Sequence, residues 1–102
     1  MPEPSGADTR LVPLLLDPTR LRIAATLLAA GEVEFGFVRD RVGLSDSALS
    51  KQLKALSDAG VVSSHRAPTG AARRTWVRLT PEGRQQVGTH VAALREIAGG
   101  NG

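Results

Sequence analysis

The sequence contains no cysteine and very few aromatic residues. Without thiols, disulfides, thiolate metal ligands and thiol-based redox sensing are all excluded. Only two histidines, His65 and His90, are present, so neither a metal site nor a bound cofactor is expected. Aromatic residues make up 3% of the chain, namely Phe35, Phe37 and Trp76. The core must therefore be built from Leu, Val, Ile and Ala, a composition that favours helices.

Long apolar runs are also missing. No stretch approaches the roughly 20 residues that cross a bilayer, and the N-terminus MPEPSGADTR has neither the basic nor the apolar region of a secretion signal. We therefore expect a cytoplasmic protein without membrane contact. The length of 102 residues suits one domain, expected at residues 10–98 between a disordered N-terminal tail at 1–9 and a flexible tail at 99–102.

Positive charge is concentrated in one part of the chain. Residues 47–84 hold seven basic and two acidic side chains, a net charge of +5, whereas the remaining residues hold six basic and eight acidic ones, a net charge of −2. A small domain whose positive charge lies in one contiguous half has the asymmetry of a phosphate-binding surface. Ordinary surface charge that keeps a protein in solution is the alternative interpretation.

Helix signals divide the first half of the chain into short elements. A short helix is predicted at 11–16, and Asp17 with Pro18 supplies the N-cap and first-turn proline of a second helix, which Gly31 ends with a left-handed cap. The second helix has apolar residues on two sides, Leu21, Ala24, Ala25 and Leu28 on one and Ile23 and Leu27 on the other. Such a helix is usually covered on both sides, and a second subunit is one candidate for the outer cover. A short extended segment at 33–35 and a short helix at 37–42 follow.

The clearest predicted helix spans residues 45–59. Ser45 is a good N-cap, and Gly60 provides the end. Leucines recur at positions i, i+4 and i+7, which predicts a buried stripe of Leu49, Leu53 and Leu56. The opposite face is small, polar and basic, and it carries Ser47, Lys51, Lys54 and Asp58, with Ser50 at its border.

A β-hairpin and a final helix are predicted after Gly60. The strands are expected at 61–66 and 75–80, joined by a turn at 67–74 whose tip carries Arg73 and Arg74. Thr80 and Pro81 begin a helix that is expected to end near residue 98. Its apolar residues alternate spacings of four and three, which predicts a seam for another helix, and they are Val87, Val91, Leu94 and Ala98. His90 beside this seam is interpreted as an interface or boundary residue.

The order of these elements predicts a mainly α fold with a small β-hairpin wing, a winged helix-turn-helix of class α+β. In that fold, helix 45–59 would enter the major groove of double-stranded DNA, whose width of about 12 Å admits one helix. Arginines of the hairpin, from Arg66 to Arg74, would reach the backbone or the adjacent minor groove. The alternatives are a solvated helix face for Lys51 and Lys54 and a solvated turn for Arg73 and Arg74.

Two segments, LSDSALSKQLKALSDAGVV and TWVRLTPEGR, resemble the winged helix transcriptional regulators of the MarR and ArsR type, in particular their compact subgroup. The first is similar to a capped recognition helix followed by glycine and the first wing strand. The second is similar to the other wing strand running into a dimerisation helix. The resemblance implies a double-stranded DNA partner and the following candidate DNA-binding residues: Ser45, Ser47, Ser50, Lys51, Gln52, Lys54, Arg66, Arg73 and Arg74.

The resemblance also implies a homodimer built from the outer helices, with Leu11, Leu14, Leu15, Val87, Val91 and Leu94 in the interface. The chain departs from the metal sensors of the ArsR type because it lacks cysteine. It departs from MarR-type proteins because its predicted helices are shorter than those that enclose their ligand pocket. A small-molecule effector under Phe35, Phe37 and Trp76 is one interpretation of the aromatic residues, and packing of the core and hairpin is the favoured one.

Two other classes of function are weighed against DNA binding. A winged helix can serve as a protein-interaction module, because a fold does not fix a function. An enzyme is not expected, because neither His65 nor His90 lies in a recognisable catalytic motif and the segment PTGAARR lacks the spacing of a phosphate-binding loop.

Overall fold

The computed structural model describes residues 8–69 and 72–99. A 3-10 turn (Pro13–Leu16) precedes helices α1 (Pro18–Ala30), α2 (Phe35–Val42), α3 (Asp46–Asp58) and α4 (Pro81–Gly99), and strands β1 (Val33–Glu34), β2 (Val62–Thr69) and β3 (Ala72–Leu79) complete the fold. The predicted winged helix order is confirmed. Most of the predicted tails, residues 1–7 and 100–102, and hairpin residues 70–71 lie outside the described residues.

Local caps begin and end the helices where the sequence indicates. The Asp17 side chain accepts a hydrogen bond from the Arg20 amide at 2.9 Å, and Pro18 occupies the first turn of α1. Ser45 caps α3 in the same way, accepting from the Ala48 amide at 3.1 Å. Gly31 ends α1 with φ of 80° and ψ of −136°. Its φ is positive, but the predicted left-handed cap is wrong because ψ lies outside the left-handed helical region.

The N-terminal segment, residues 8–16, contains no α-helix, and we call it the strap. Only a single 3-10 turn forms, with Pro13 in its first position after an extended Val12. Asp17 is also extended, with φ of −73° and ψ of 126°, because the ring of a following proline disfavours the helical conformation. The short helix predicted at 11–16 is therefore replaced by one turn held between two prolines.

Helix α1 is the centre of the core. Ile23, Ala24 and Leu27 are fully buried, whereas Ala25 is exposed. The helix contacts the 3-10 turn, α2, α3, α4 and β3. The same chain therefore buries the side of Ile23 and Leu27 and part of the other apolar side, where Ala25 stays exposed. The suggested cover by a second subunit stays a prediction.

Helix α3 presents its predicted leucine stripe to this core. Leu49 and Leu56 are fully buried, and Leu53 is 8% exposed. Burying a leucine contributes about 1.5 to 3 kcal/mol relative to leaving it in water. The stripe thus fixes α3 against the domain and leaves its opposite face in solvent.

The three strands form an antiparallel sheet with the order β1-β3-β2. Strand β2 pairs with β3 from Val62 opposite Leu79 out to Thr69 opposite Ala72. The turn predicted at 67–74 is therefore wrong, and Arg73 and Arg74 are strand residues. The error arose at Pro68, because a proline usually indicates a turn or loop. Pro68 lies on β2, an edge strand, where a residue without an amide N–H is tolerated.

Helix α4 begins in direct contact with the start of the wing. The Thr80 hydroxyl donates to the Gly60 carbonyl at 2.6 Å and accepts from the Gly83 amide at 2.8 Å. Gly83 is buried against Val61, and a Cβ atom at this position would overlap the Val61 backbone. Only glycine permits this approach, so the contact sets how closely α4 lies against the wing.

We predict that Gly83→Ala destabilises the protein by about 1 to 3 kcal/mol, the cost of overpacking a tight contact. Gly88→Ala is the matched control, because a Cβ there meets no atom within 4 Å and replacing glycine by alanine in a helix favours folding by up to about 1 kcal/mol. Urea unfolding followed by circular dichroism measures both. Equal stability of the two variants would contradict the close approach of α4 to Val61.

Candidate nucleic-acid interface

The solvent side of α3 carries most of the predicted DNA-binding residues, and we call it the polar face of α3. Its exposed members are Ser45, Ser47, Ser50, Lys51 and Lys54. Ser45 is partly engaged, because its hydroxyl caps α3 and lies 3.4 Å from the Ser47 hydroxyl. Small side chains lie at the N-terminal end of the polar face, and basic side chains lie towards its middle.

The two lysines of this face differ in their surroundings. Lys54 donates to Asp58 at 3.2 Å, and both side chains are largely exposed. An exposed ion pair of this kind contributes about 0.3 to 0.5 kcal/mol, so an approaching phosphate can displace it. Lys51 makes no salt bridge within the described part of the chain. Both ammonium groups are therefore available to an anionic partner.

An ion pair that the sequence analysis missed connects α2 to the start of α3. The Arg39 guanidinium donates to Asp46 at 2.8 Å and to Asp40 at 2.9 Å. The hydrogen bond from Arg39 lowers the pKa of the Asp40 carboxyl. The contact joins residues across the Gly43 turn, where helical spacing does not apply, so no periodic pattern could have revealed it. It holds the N-terminal end of the polar face in place.

Gln52 lies apart from the other candidates. It is half-buried, and its side-chain oxygen accepts a hydrogen bond from Arg20 at 3.2 Å. The sequence placed it among the DNA-binding residues. The structure shows that its side chain contacts Arg20 of α1 at the edge of the polar face.

The register of the hairpin divides its arginines between two faces. Cross-strand partners lie on the same face of a sheet, and successive residues alternate. Val77 and Leu79 are buried and mark the inner face, which Arg66 shares with its partner Thr75, and Arg73 with its partner Pro68. Residues between them in sequence occupy the outer face, and these are Arg74, Trp76 and Arg78, together with His65.

An open cleft of about 570 Å³ separates α3 from the inner face of the wing. Phe35 and Leu53 contribute apolar surface to it. Hydroxyl and charged groups of both elements line the rest, namely Asp46, Ser50, Lys54, Ser57, Asp58, Ser64, Arg66 and Thr75. The structure therefore brings Ser50, Lys54 and Arg66 together around one concave surface.

Arg74 is held on the other side of the sheet. Its guanidinium donates to both carboxylate oxygens of Glu34, at 2.8 and 2.9 Å. Both hydrogen bonds come from the same nitrogen, Nη1, and are strengthened by the opposite charges, so the contact links β3 to the short strand β1. The two neighbouring arginines predicted at one hairpin tip thus have different surroundings, and the charge of Arg74 is balanced within the chain.

The three aromatic residues do not surround a common cavity. Phe35 lines the cleft beside α3, Phe37 is 45% exposed beside α1, and Trp76 is half-buried on the outer face of the sheet. Residues 8–69 and 72–99 contain no group of three His, Cys, Asp or Glu side chains that could hold a metal ion. Over the same residues, none of the helices has the length and apolar character needed to cross a membrane.

An apolar surface follows the strap and α4 and contains part of the predicted dimer interface. Four of the predicted residues are half-buried, Leu11, Leu14, Val91 and Leu94, and two further residues are well exposed, Leu16 at 55% and Ile97 at 61%. Leu15 and Val87 are fully buried inside the chain. These two pack the core and have no surface to offer a second copy, so the expectation is corrected for them.

Two contacts hold the strap along α4. Arg10 donates to Asp8 at 2.7 Å and to Glu96 at 2.9 Å. Hydrogen bonds from Arg10 lower the pKa of Asp8 to about 2 and also lower the pKa of Glu96. The Val12 amide donates to Nδ1 of His90 at 2.9 Å. His90 is fully buried, so its interpretation as an interface or boundary residue is wrong.

Comparison with known proteins identifies the fold. Residues 19–98 match the family model described as "Winged helix DNA-binding domain". No curated protein matches the sequence. Membership of a DNA-binding family agrees with the expectation that the chain is not an enzyme.

Solved structures agree with the family match. A transcriptional regulator homologue from Pyrococcus horikoshii OT3 superposes with a TM-score of 0.78 at 23% identity, covering 85% of this chain and 86% of its own. A MarR family transcriptional regulator from Silicibacter pomeroyi DSS has a TM-score of 0.69 at 23% identity, covering 81% of this chain and 55% of its own. The PcaV transcriptional regulator from Streptomyces coelicolor, in complex with its natural ligand, has a TM-score of 0.65 at 24% identity, covering 88% of this chain and 64% of its own. These likenesses show the shared fold, and the match over residues 19–98 shows that the chain belongs to the winged helix DNA-binding domain family.

Proposed function

We propose that the protein is a transcriptional regulator that binds specific double-stranded DNA as a homodimer. The observation that carries the proposal is the cleft in which the polar face of α3 and the inner face of the wing meet. In this arrangement α3 enters the major groove, and the wing follows the backbone or enters the adjacent minor groove.

The chemistry of the polar face suits the reading of base edges. Ser47 and Ser50 are small and exposed, so the helix can approach closely, and their hydroxyls donate or accept hydrogen bonds. Lys51 and Lys54 can reach guanine edges or flanking phosphates. Sequence preference is therefore expected to depend on the serines, and affinity for DNA in general on the basic residues.

The wing is expected to contribute through its inner face. Arg66 and Arg73 make no salt bridge within the described residues and lie on the side of the sheet that borders α3. Contacts from such residues to phosphates add affinity without sequence information. Arg74 is not part of this contact in the proposal, because Glu34 holds it on the outer face.

The apolar surface of the strap and α4 supports the proposed dimer. Val91, Leu94 and Ile97 recur at every third residue of α4, so they share one side of the helix, and the strap adds the half-buried apolar residues Leu11 and Leu14. A second copy would remove this surface from water. A small-molecule effector is left out of the proposal, because the aromatic candidates lie on three different surfaces.

The decisive experiment is selection of binding sites from a random pool of double-stranded DNA by the purified full chain, at two salt concentrations. Enrichment of an inverted repeat with half-sites about one helical turn apart is expected for a dimer. Salt-sensitive binding without enrichment would contradict sequence-specific regulation. Absence of binding at low salt would contradict DNA binding altogether and favour a protein-interaction module.

We predict that Arg73→Ala weakens binding to all DNA sequences and reduces the slope of log affinity against log salt by about one. Arg74→Ala is the matched control, and its slope is expected to stay near that of the unaltered protein, because Glu34 already balances its charge. Fluorescence anisotropy over a salt series measures both slopes. Equal losses in the two variants would show that both arginines contact phosphates and would refute the division between wing faces.

We predict that Ile97→Asp converts the dimer to a monomer at micromolar concentration, because it places a charge in the apolar surface of α4. Phe37→Asp is the control, since Phe37 is also exposed but lies beside α1, away from the proposed interface. Sedimentation velocity without DNA distinguishes the two species. A monomeric unaltered protein under these conditions would count directly against the proposed homodimer.

A further inference from the structure

One side chain, Arg20 of α1, joins the nearby strap to the sequence-distant helix α3. Its Nε donates to the Leu14 carbonyl of the strap at 2.7 Å, and its Nη1 donates to the side-chain oxygen of Gln52 in α3 at 3.2 Å. Its own amide donates to Asp17 at the start of α1. The side chain is half-buried, so it bridges the strap to the recognition helix at the edge of the core.

Arginine is suited to this bridge. The guanidinium is planar and presents several donors in fixed directions, whereas the lysine ammonium is a compact charge on a flexible stem. Arg20 uses nitrogens at different positions of that plane for Leu14 and Gln52. The orientation that satisfies one acceptor therefore restricts the other, and a lysine cannot reproduce both contacts.

The position of Gln52 makes the contact important for the polar face. Gln52 follows Lys51 directly and lies two residues from both Ser50 and Lys54. The leucine stripe fixes α3 against the core through apolar contacts, which are non-directional. A hydrogen bond at the border of the polar face adds the directional restraint.

We propose that Arg20 is a positioning residue that sets the rotation of α3 through Gln52 and thereby controls DNA affinity and sequence preference without contacting DNA. The inference rests on the proposed function, since it concerns the same DNA-binding face. The strap takes part in this positioning, because the Leu14 carbonyl fixes the orientation of the guanidinium that donates to Gln52. The strap carries part of the proposed dimer surface, so packing of that surface reaches α3 through this side chain.

The test compares the unaltered full chain with Arg20→Ala, Gln52→Ala, the double variant and Arg20→Lys, using the DNA site selected by the unaltered protein. Each single alanine change is expected to weaken binding about tenfold, and the double variant about as much as either single one, since coupled residues are not additive. The salt slope should not change, and Arg20→Lys should not restore affinity. Arg22→Ala is the matched control, because it removes an exposed positive charge from the same helix.

A second measurement follows the free protein without DNA. Amide chemical shifts of α3 should change in the same pattern in Arg20→Ala and Gln52→Ala, and should stay unchanged in Arg22→Ala. If Arg20→Ala fails to fold, Gln52→Ala and Arg20→Lys carry the same comparison. Shared changes would support the positioning role even if the unaltered protein bound no DNA, a result that would refute the proposed function alone.

Three results would overturn the inference. A salt slope reduced by about one in Arg20→Ala would make Arg20 a phosphate contact. Losses that add in the double variant would show that the two residues act separately. Unaltered DNA affinity together with unaltered α3 shifts in both single variants would show that the hydrogen bond does not position the helix.

Discussion

Helix α1 is buried by contacts with nearly every other element of the fold. Ile23, Ala24 and Leu27 are fully buried, and every other helix, the 3-10 turn and the central strand β3 contact this one helix. Because the chain has few aromatic residues, smaller side chains packed closely around α1 fill its core. The polar face of α3, the wing and the strap are all positioned relative to this helix.

The strand register decides on which face of the wing each charged side chain lies. Neighbouring arginines of one strand face opposite sides, so Arg73 lies on the inner face while Glu34 holds Arg74 on the outer face. The same alternation places hydroxyl groups beside Arg66 in the cleft. A count of basic residues therefore overstates the positive charge that the cleft presents, and the direction of each side chain decides which charges belong to it.

Local signals predicted much of the fold, and contacts between distant segments account for the errors. The Asp17 and Ser45 caps and the leucine stripe of α3 depend on residues within one or two turns, so the sequence indicated them correctly. Pro68 was wrongly assigned to a turn. A proline is tolerated on an edge strand, but the strand order that makes β2 an edge strand depends on the whole sheet. The apolar spacing of α4 placed Val87 in a buried seam, but such spacing does not show whether the same chain or a second copy buries the residue. Most of the candidate polar face could be predicted, whereas the engagement of Gln52 by Arg20 spans 32 residues and leaves no local pattern.

The absence of a side chain at Gly83 has a consequence for the geometry of an assembled regulator. Helix α4 has 19 residues, a length of about 28 Å at a rise of about 1.5 Å per residue. The first turn of α4 contacts the Val61 backbone, so any tilt of the helix would occur about this contact. A tilt of roughly 10° at this contact would move the far end by about 5 Å over such a length. In the proposed dimer, a single missing methyl group at the base of the wing would thus set the distance between the polar faces of the two α3 helices.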